Sequence, residues 1–208
     1  MKNRRRASAT QSTLERYYKE GYASWDIGRP QTSVKAVLAS SKLQGPVLDL
    51  GCGTGEHAFL LADQGLKVTG VDISATAIQM AERKKAQRGL DVSFVCADAL
   101  EWTPDDDQLF ATVLDVGMFH CLGDADLGKY QKLLAKVLEP DGQLILLCLA
   151  ESPHGGAAEW PHYYDKKALE ELFAEPDWQI ESIGAAFDES TFRDRGFKAL
   201  LMRAKRAE

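Results

Sequence analysis

The 208-residue chain contains no run of about 18 apolar residues, the length a membrane-crossing helix needs, and no apolar segment follows the opening Lys2, Arg4, Arg5 and Arg6. Neither a spanning helix nor a secretory leader is expected, and the cytoplasm is the expected location. Cysteine is sparse. Cys52, Cys96, Cys121 and Cys148 form no C-x-x-C pair and lie in or beside apolar runs, which argues against a disulfide framework or zinc site and for buried free thiols. Positive charge is in deficit too. With 25 Lys and Arg against 31 Asp and Glu the net charge is -6, so the basic face that displaces counterions from nucleic acid is missing and a small-molecule partner is expected. No histidines and carboxylates stand at metal-ligand spacing, and no metal is expected. Internal repeats are absent, and the length suits one domain over 1–208 with a substantial core, as a monomer or homodimer. The N-terminal arginines either steer an acidic partner or, on the plainer reading, belong to a solvated tail over residues 1–12.

What the chain does carry is an apolar run leading into alternating glycines, Val47-Leu48-Asp49-Leu50-Gly51-Cys52-Gly53-Thr54-Gly55, with a helical segment behind it. Alternating glycines bring backbone against a bound molecule, because no Cβ intervenes and positive φ carries no penalty. The spacing is neither the G-x-G-x-x-G of a dinucleotide fingerprint nor the G-x-x-x-x-G-K-[ST] of a P-loop, and Glu56 and His57 follow instead of a lysine. ATP and GTP are strongly disfavoured, a nicotinamide cofactor less so. Downstream, short aliphatic runs at 46–50, 67–72, 93–97, 110–116 and 143–149 alternate with helical-period segments at 56–64, 75–88 and 127–138, the pattern of a parallel sheet with crossover helices. Leu127, Tyr130, Leu133, Leu134, Val137 and Leu138 keep helical spacing, and Glu139-Pro140-Asp141-Gly142 reads as a turn. A helix at 166–173 capped by Asp165 and an antiparallel hairpin of strands 178–187 and 197–204 close the pattern, with helices at 13–22 and 34–40 ahead of it. The expected fold is a Rossmann-like, doubly wound α/β sheet of seven strands, mostly parallel with an antiparallel C-terminal hairpin.

In such a sheet ligands sit at the carboxyl ends of the strands, near the switch in strand order. Asp72 ends the second strand and either accepts from both hydroxyls of a ribose or caps the helix beginning near Ser74. Asp98 ends the third and either takes an adenine amino group, with Leu100 and Trp102 packing on the base, or caps its own turn; Ile73 and Ala99 flank these two positions. His120, after the fourth strand, is either a catalytic general base or a hydrogen-bond partner for an acceptor O–H or N–H, or a loop-orienting residue. Residues 151–165 are polar, aromatic and glycine-containing, and are expected to form a lid whose Trp160, Tyr163 and Tyr164 join Trp25 and Phe119 around a flat acceptor.

The glycine stretch, with Asp49 before its first glycine, resembles motif I of class I S-adenosylmethionine-dependent methyltransferases. Trp25-Asp26-Ile27-Gly28-Arg29-Pro30-Gln31 resembles the W-D-x-G-R-P-Q segment of the small-molecule group acting on thiopurines, thiols, halides and hydroxylated heteroaromatics. The resemblance covers residues 22–149 and implies S-adenosyl-L-methionine as cofactor. It implies that Gly51, Cys52, Gly53 and Gly55 approach this molecule, with Asp49 at its amino end, Asp72 at its sugar, Asp98 at its base, and Asp115 and Val116 beside its methionine part. Residues 13–45 are then a cover, in which Trp25 lies over the methionine side and Arg29 holds loops or a carboxylate. The implied reaction is in-line methyl transfer to an O, N or S nucleophile of a small aromatic or heteroaromatic acceptor, or to a thiol or halide that needs no base. Nicotinamide-dependent oxidoreduction and cofactor binding without catalysis are the competing readings.

Overall fold

The computed structural model describes residues 6–151 and 160–207. Seven strands, β1 (Val47–Leu50), β2 (Val68–Asp72), β3 (Val92–Cys96), β4 (Phe110–Val116), β5 (Leu138–Leu149), β6 (Trp178–Ser190) and β7 (Arg193–Arg206), form one sheet in the order β3-β2-β1-β4-β5-β7-β6. The β3-β2-β1-β4-β5 pairings are parallel, and β7 is antiparallel to both β5 and β6. Because β6 reverses β7, it runs with β5, and its C-terminal end opens on the same edge of the sheet as the ends of β1, β2 and β4. Among the described residues six α-helices accompany the strands: α1 (Gln11–Lys19), α2 (Thr32–Ser40), α3 (Glu56–Ala62), α4 (Ala75–Arg88), α5 (Leu127–Val137) and α6 (Lys166–Leu172).

Both faces of the sheet are covered, which is why β1 is buried at every residue and reads as a continuous apolar run broken only by Asp49. Alternate side chains feed two cores. Leu48, Leu50, Val113, Leu144 and Leu146 pack with α5 and α6, whereas Val47, Leu114, Ile145 and Leu147 pack with α2 and α3. On α5, Tyr130, Leu133, Leu134 and Val137 are the buried stripe that the spacing requires. Ser74 caps α4 by accepting from the Ala77 amide, and Gly89 ends it in the left-handed conformation, so the helix spans the expected 75–88.

Several boundaries differ from the sequence reading. β5 starts five residues before the expected 143, because Leu138 pairs with Phe110 while Gln143 pairs with Thr112; residues 139–142 bulge out, with Asp141 at φ 61°. The hairpin is longer than expected since pairing continues to Ser190 and Arg193. Thr10 caps α1, which both starts and ends before the expected 13–22. Cys52 and Cys148 are buried thiols, but Cys96 is exposed because β3 is the sheet edge. Residues 6–10 are tied down instead of lying free: the Arg6 amide and Nε donate to Asp124, Ser8 Oγ donates to Asp126 Oδ2 at 2.5 Å, and the Ala9 amide donates to the Cys121 carbonyl. Of the expected lid, residues 152–159 lie outside the described residues. Among the described residues no helix is long and apolar enough to cross a membrane, and no cluster of His, Cys, Asp and Glu is arranged to hold a metal.

Candidate active site

The floor of the site is the turn after β1. The amides of Gly51 and Cys52 both donate to the Val71 carbonyl, fastening the end of β1 to β2. Gly51 and Gly53 have φ of +66° and +54°; a Cβ on Gly53 would stand 2.7 Å from the Tyr18 hydroxyl, and one on Gly51 would stand 2.8 Å from Met118 Cβ. Conformation and crowding therefore both require glycine. Asp72 accepts from the Gly53 amide on Oδ2 and from the Ser74 amide on Oδ1, each at 2.8 Å. Every carboxylate oxygen has a second lone pair, so Asp72 organises the turn and still offers two acceptors to the cavity. The capping of α4 belongs to Ser74, not to Asp72. Asp98 does cap its own turn, accepting from the Leu100 amide at 3.0 Å, and is exposed on the cavity wall; Leu100 lines that wall and Trp102 does not.

The roof is built from α1 and the segment after it. Glu15 on α1 accepts from Ser74 Oγ, Thr76 Oγ1 and the Thr76 amide, which together hold its carboxyl down at about 2. Trp25 donates through its indole N–H to the Tyr18 hydroxyl at 2.9 Å, stacks on Tyr17 at 5.6 Å, and Tyr17 meets Trp160 edge-on at 5.8 Å. The W-D-I-G-R-P-Q segment is a clasp. Arg29 is committed to Glu189 through two bonds of 2.8 and 3.1 Å, the Thr32 amide donates to the same carboxylate, and the Gln31 side chain exchanges two hydrogen bonds with the Glu189 backbone. From the other side, His57 Nε2 accepts from the Gln31 amide, so the helix behind the glycines grips the roof as well. Floor and roof enclose a cavity of about 910 Å³.

Trp25, Arg29, Gly51, Cys52, Gly53 and Asp72 line this cavity, as do Ile73, Asp98, Ala99, Val116, His120 and Trp160. Six expected residues do not. Gly55 packs against Phe59 and Phe94 behind the turn. Asp115 is turned into the core, where its oxygens accept from the Phe119 amide and the Tyr130 hydroxyl, and burial pushes its carboxyl up to about 7. Asp49 lies beneath the glycines with Oδ2 unpartnered, pushed up to about 8 by burial and by the charges of Asp115 and Asp72. Phe119 and Tyr164 belong to an aromatic cluster with Tyr130 and Phe173, their own centroids 4.6 Å apart, and Tyr163 points outward at 52% exposure.

Residues 47–142 match the family model described as a methyltransferase domain. The 2-heptyl-1-hydroxyquinolin-4(1H)-one methyltransferase of Mycobacteroides abscessus is 31% identical over 163 residues, 78% of this chain and 71% of that protein. The chain is a class I S-adenosylmethionine-dependent methyltransferase. Thiocyanate methyltransferase 1 of Brassica oleracea is 30% identical over 68% of the methyltransferase described here and 63% of its own length. A solved structure described by the conversion of a disulfide bond into a thioacetal group during echinomycin biosynthesis superposes with a TM-score of 0.82 at 31% identity, covering 96% of this methyltransferase and 92% of that chain. The 1,6-didemethyltoxoflavin-N1-methyltransferase of Burkholderia thailandensis, solved with 1,6-didemethyltoxoflavin and S-adenosylhomocysteine, shares the fold with a TM-score of 0.76 at 20% identity over 95% and 87% of the two chains. The nicotinamide and non-catalytic readings are set aside by this membership.

S-adenosylmethionine suits the residues present: glycines that admit backbone contact, the spare acceptors of Asp72 and Asp98, and the unpartnered Asp49 oxygen under the loop, which calls for a donor. His120 is less suited to the general-base role expected of it. Its Nδ1 accepts from the Leu149 amide at 3.3 Å, which leaves the proton on Nε2, and burial and the nearby His162 push it down to about 3. The imidazole of the methyltransferase is thus a neutral donor over the ordinary pH range. Tyr17, Tyr18, Asp188 and Phe197 line the cavity without having been singled out in the sequence. The two tyrosines sit on an amphipathic helix with no motif to flag it, and Asp188 and Phe197 become neighbours only through the cross-strand pairing of β6 and β7.

Proposed function

We propose that this methyltransferase acts on a small, flat aromatic or heteroaromatic acceptor bearing an O–H, N–H or S–H nucleophile. The observation that carries the reading is the array of Tyr17, Trp25 and Trp160 on the cavity, stacked and edge-on, which suits a planar apolar molecule with few polar handles. The quinolone and toxoflavin activities in the names of two similar proteins support it. A thiol, thiocyanate-like or disulfide sulfur is the second reading, favoured by the names of two others.

When bound, S-adenosylmethionine supplies a methyl group already electrophilic on a sulfonium sulfur. The protein's task is alignment and exclusion of water. Asp72 would accept from the sugar hydroxyls and Asp98 from the base, the Gly51–Gly53 turn would lie against the methionine portion, and the unpartnered Asp49 oxygen beneath the turn would accept from a donor there. Trp25, fixed by Tyr18 and Tyr17, closes the roof, and the Arg29–Glu189 clasp keeps it closed during transfer. His120 donates through Nε2 to an acceptor oxygen or nitrogen. The test is a panel of phenols, hydroxyquinolines, N-heterocycles, thiols and iodide incubated with methyl-labelled cofactor. Label should enter the planar acceptors, whether O–H, N–H or aromatic S–H; label entering only aliphatic thiols or iodide refutes the reading in favour of the second.

A further inference from the structure

We propose that Asp188 is the general base of the transfer, the group that takes the acceptor's proton, a role that rests on the acceptor reading above. The sheet order sets Asp72 and the Asp98 turn on one side of β1 and β4, and the ends of β5, β7 and β6 on the other. Asp188 is on that second side, at the end of β6. It is paired across the hairpin with Phe197, and cross-strand partners share a face, so the carboxylate and the ring meet together the cavity that Leu149, His120 and Trp160 also line.

Its neighbours among the carboxylates are all engaged. Glu15 holds the start of α4, Glu189 holds Arg29 and Thr32, Asp26 accepts from Thr54, and Asp126 accepts from Ser8. Asp188 takes no hydrogen bond on its carboxylate among the described residues. The charged and titratable groups around it leave it unpaired. On its own strand Glu189 is matched to Arg29 of the roof; on β7 Arg193 and Lys198 are matched to Glu151; from the turn and from β5 come the protonated thiols of Cys121 and Cys148 and the neutral His120. Burial, with Glu189 adding to it, pushes the Asp188 carboxyl up to about 7, so that at neutral pH a large share of it is ionised and free to take a proton, and basic enough to keep the one it takes.

The step balances. The acceptor's O–H or N–H donates to the Asp188 carboxylate; its lone pair forms the bond to the methyl carbon as the carbon–sulfur bond breaks, that electron pair staying on sulfur. The acceptor's proton passes to Asp188, giving a methylated acceptor, a neutral thioether and a carboxyl that returns its proton to water.

The experiment compares wild type with Asp188→Asn and Asp188→Glu on phenols and hydroxyquinolines whose hydroxyls stay protonated to about pH 8.5. Wild-type kcat/KM should rise with pH and level off above about 7, and D188N should be roughly 10²–10⁴-fold slower without that rise, with partial recovery in D188E. Calorimetry should find S-adenosylhomocysteine bound equally by all three, which shows the fold intact. A second readout needs no turnover: with S-adenosylhomocysteine in place, wild type should bind such a phenol about tenfold more weakly at pH 5.5 than at pH 8.5, because a hydrogen bond to an ionised carboxylate is the stronger one, while D188N should show no change. D188N turnover within threefold of wild type with the same pH limb overturns the assignment of Asp188 alone. A wild type that methylates no planar acceptor overturns the function reading and this one with it, and that failure is read on the wild type by itself.

Discussion

At Gly53 the demands of backbone and packing coincide: positive φ, a hydrogen bond to Asp72, and the Tyr18 hydroxyl where a side chain would stand. Gly53→Ala forces either the turn or α1 to move, and affinity for S-adenosylhomocysteine should fall at least about tenfold, a cost of the order expected for a strained left-handed residue. Affinity within twofold of wild type would show that the turn does not touch the cofactor. His120 offers the opposite test. As a neutral donor held by the Leu149 amide it contributes one hydrogen bond, so His120→Ala should cost about tenfold in turnover and leave the pH profile unshifted. A loss of several orders of magnitude with the neutral-pH limb removed would restore it as the base. The residue type and its place after a strand were legible in the sequence. The amide that occupies Nδ1 was not, because it comes from β5, 29 residues further on.

At the scale of elements, the roof is held by ties to distant parts of the chain. Glu15 reaches α4, and Glu189 gathers Arg29, Thr32 and Gln31 onto the end of β6. Arg29 is half exposed, so its ion pair alone is worth little; the shared acceptor of an amide and a bidentate guanidinium is worth more. Glu189→Ala should therefore speed amide hydrogen exchange across residues 24–32 by about tenfold while leaving β1 and β4 protected, which exchange mass spectrometry can resolve. Equal acceleration in both regions would mean the clasp supports the whole fold and not the roof. The W-D-I-G-R-P-Q string marked this segment in the sequence, and with it Arg29 as a holder of loops or of a carboxylate, but not which carboxylate. Its actual partner lies 160 residues away on a hairpin whose length depends on cross-strand pairing, beyond the reach of local pattern. The elements with strong local signals, α4 with its two caps and α5 with its apolar stripe, fell where the spacing put them, whereas β5 and the hairpin were extended by pairing partners the local pattern does not contain.

For the whole molecule, buried ionisable groups set how stability follows pH. Asp49 and Asp115 are pushed up to about 8 and about 7, so the folded protein keeps protons that the unfolded chain releases near about 4, and their contribution is lost as pH rises from about 4 to 8. His57 and His120, pushed down to about 4 and about 3, act in the other direction: the unfolded chain binds protons the folded one does not, and stability is gained as pH rises to about 6.5. The two effects oppose one another below about 6.5; above it the raised carboxylates, Asp188 among them, and toward pH 8.5 the buried thiols of Cys52, Cys121 and Cys148 all lower stability as pH rises. The melting temperature of the cofactor-free protein should thus fall between about pH 6.5 and 8.5, and Asp49→Asn should flatten that fall; a melting temperature that rises through this range contradicts the buried, unpartnered Asp49. The fold class was legible from the alternation of strand and helix signals, and the cofactor end of the site from one glycine turn with its flanking carboxylates. On the far side of the cavity Trp25 and Trp160 were legible as aromatics of a cover and a lid, whereas Tyr17, Tyr18, Asp188 and Phe197 were not, because α1, the roof and the hairpin meet only in three dimensions. The most direct test of the account is a calorimetric titration of S-adenosylhomocysteine into the wild type and Asp72→Ala. Single-site binding by the wild type, weakened about tenfold to a hundredfold by losing the charged acceptor, is the predicted result; no heat from the wild type, or equal affinity in both, would contradict it.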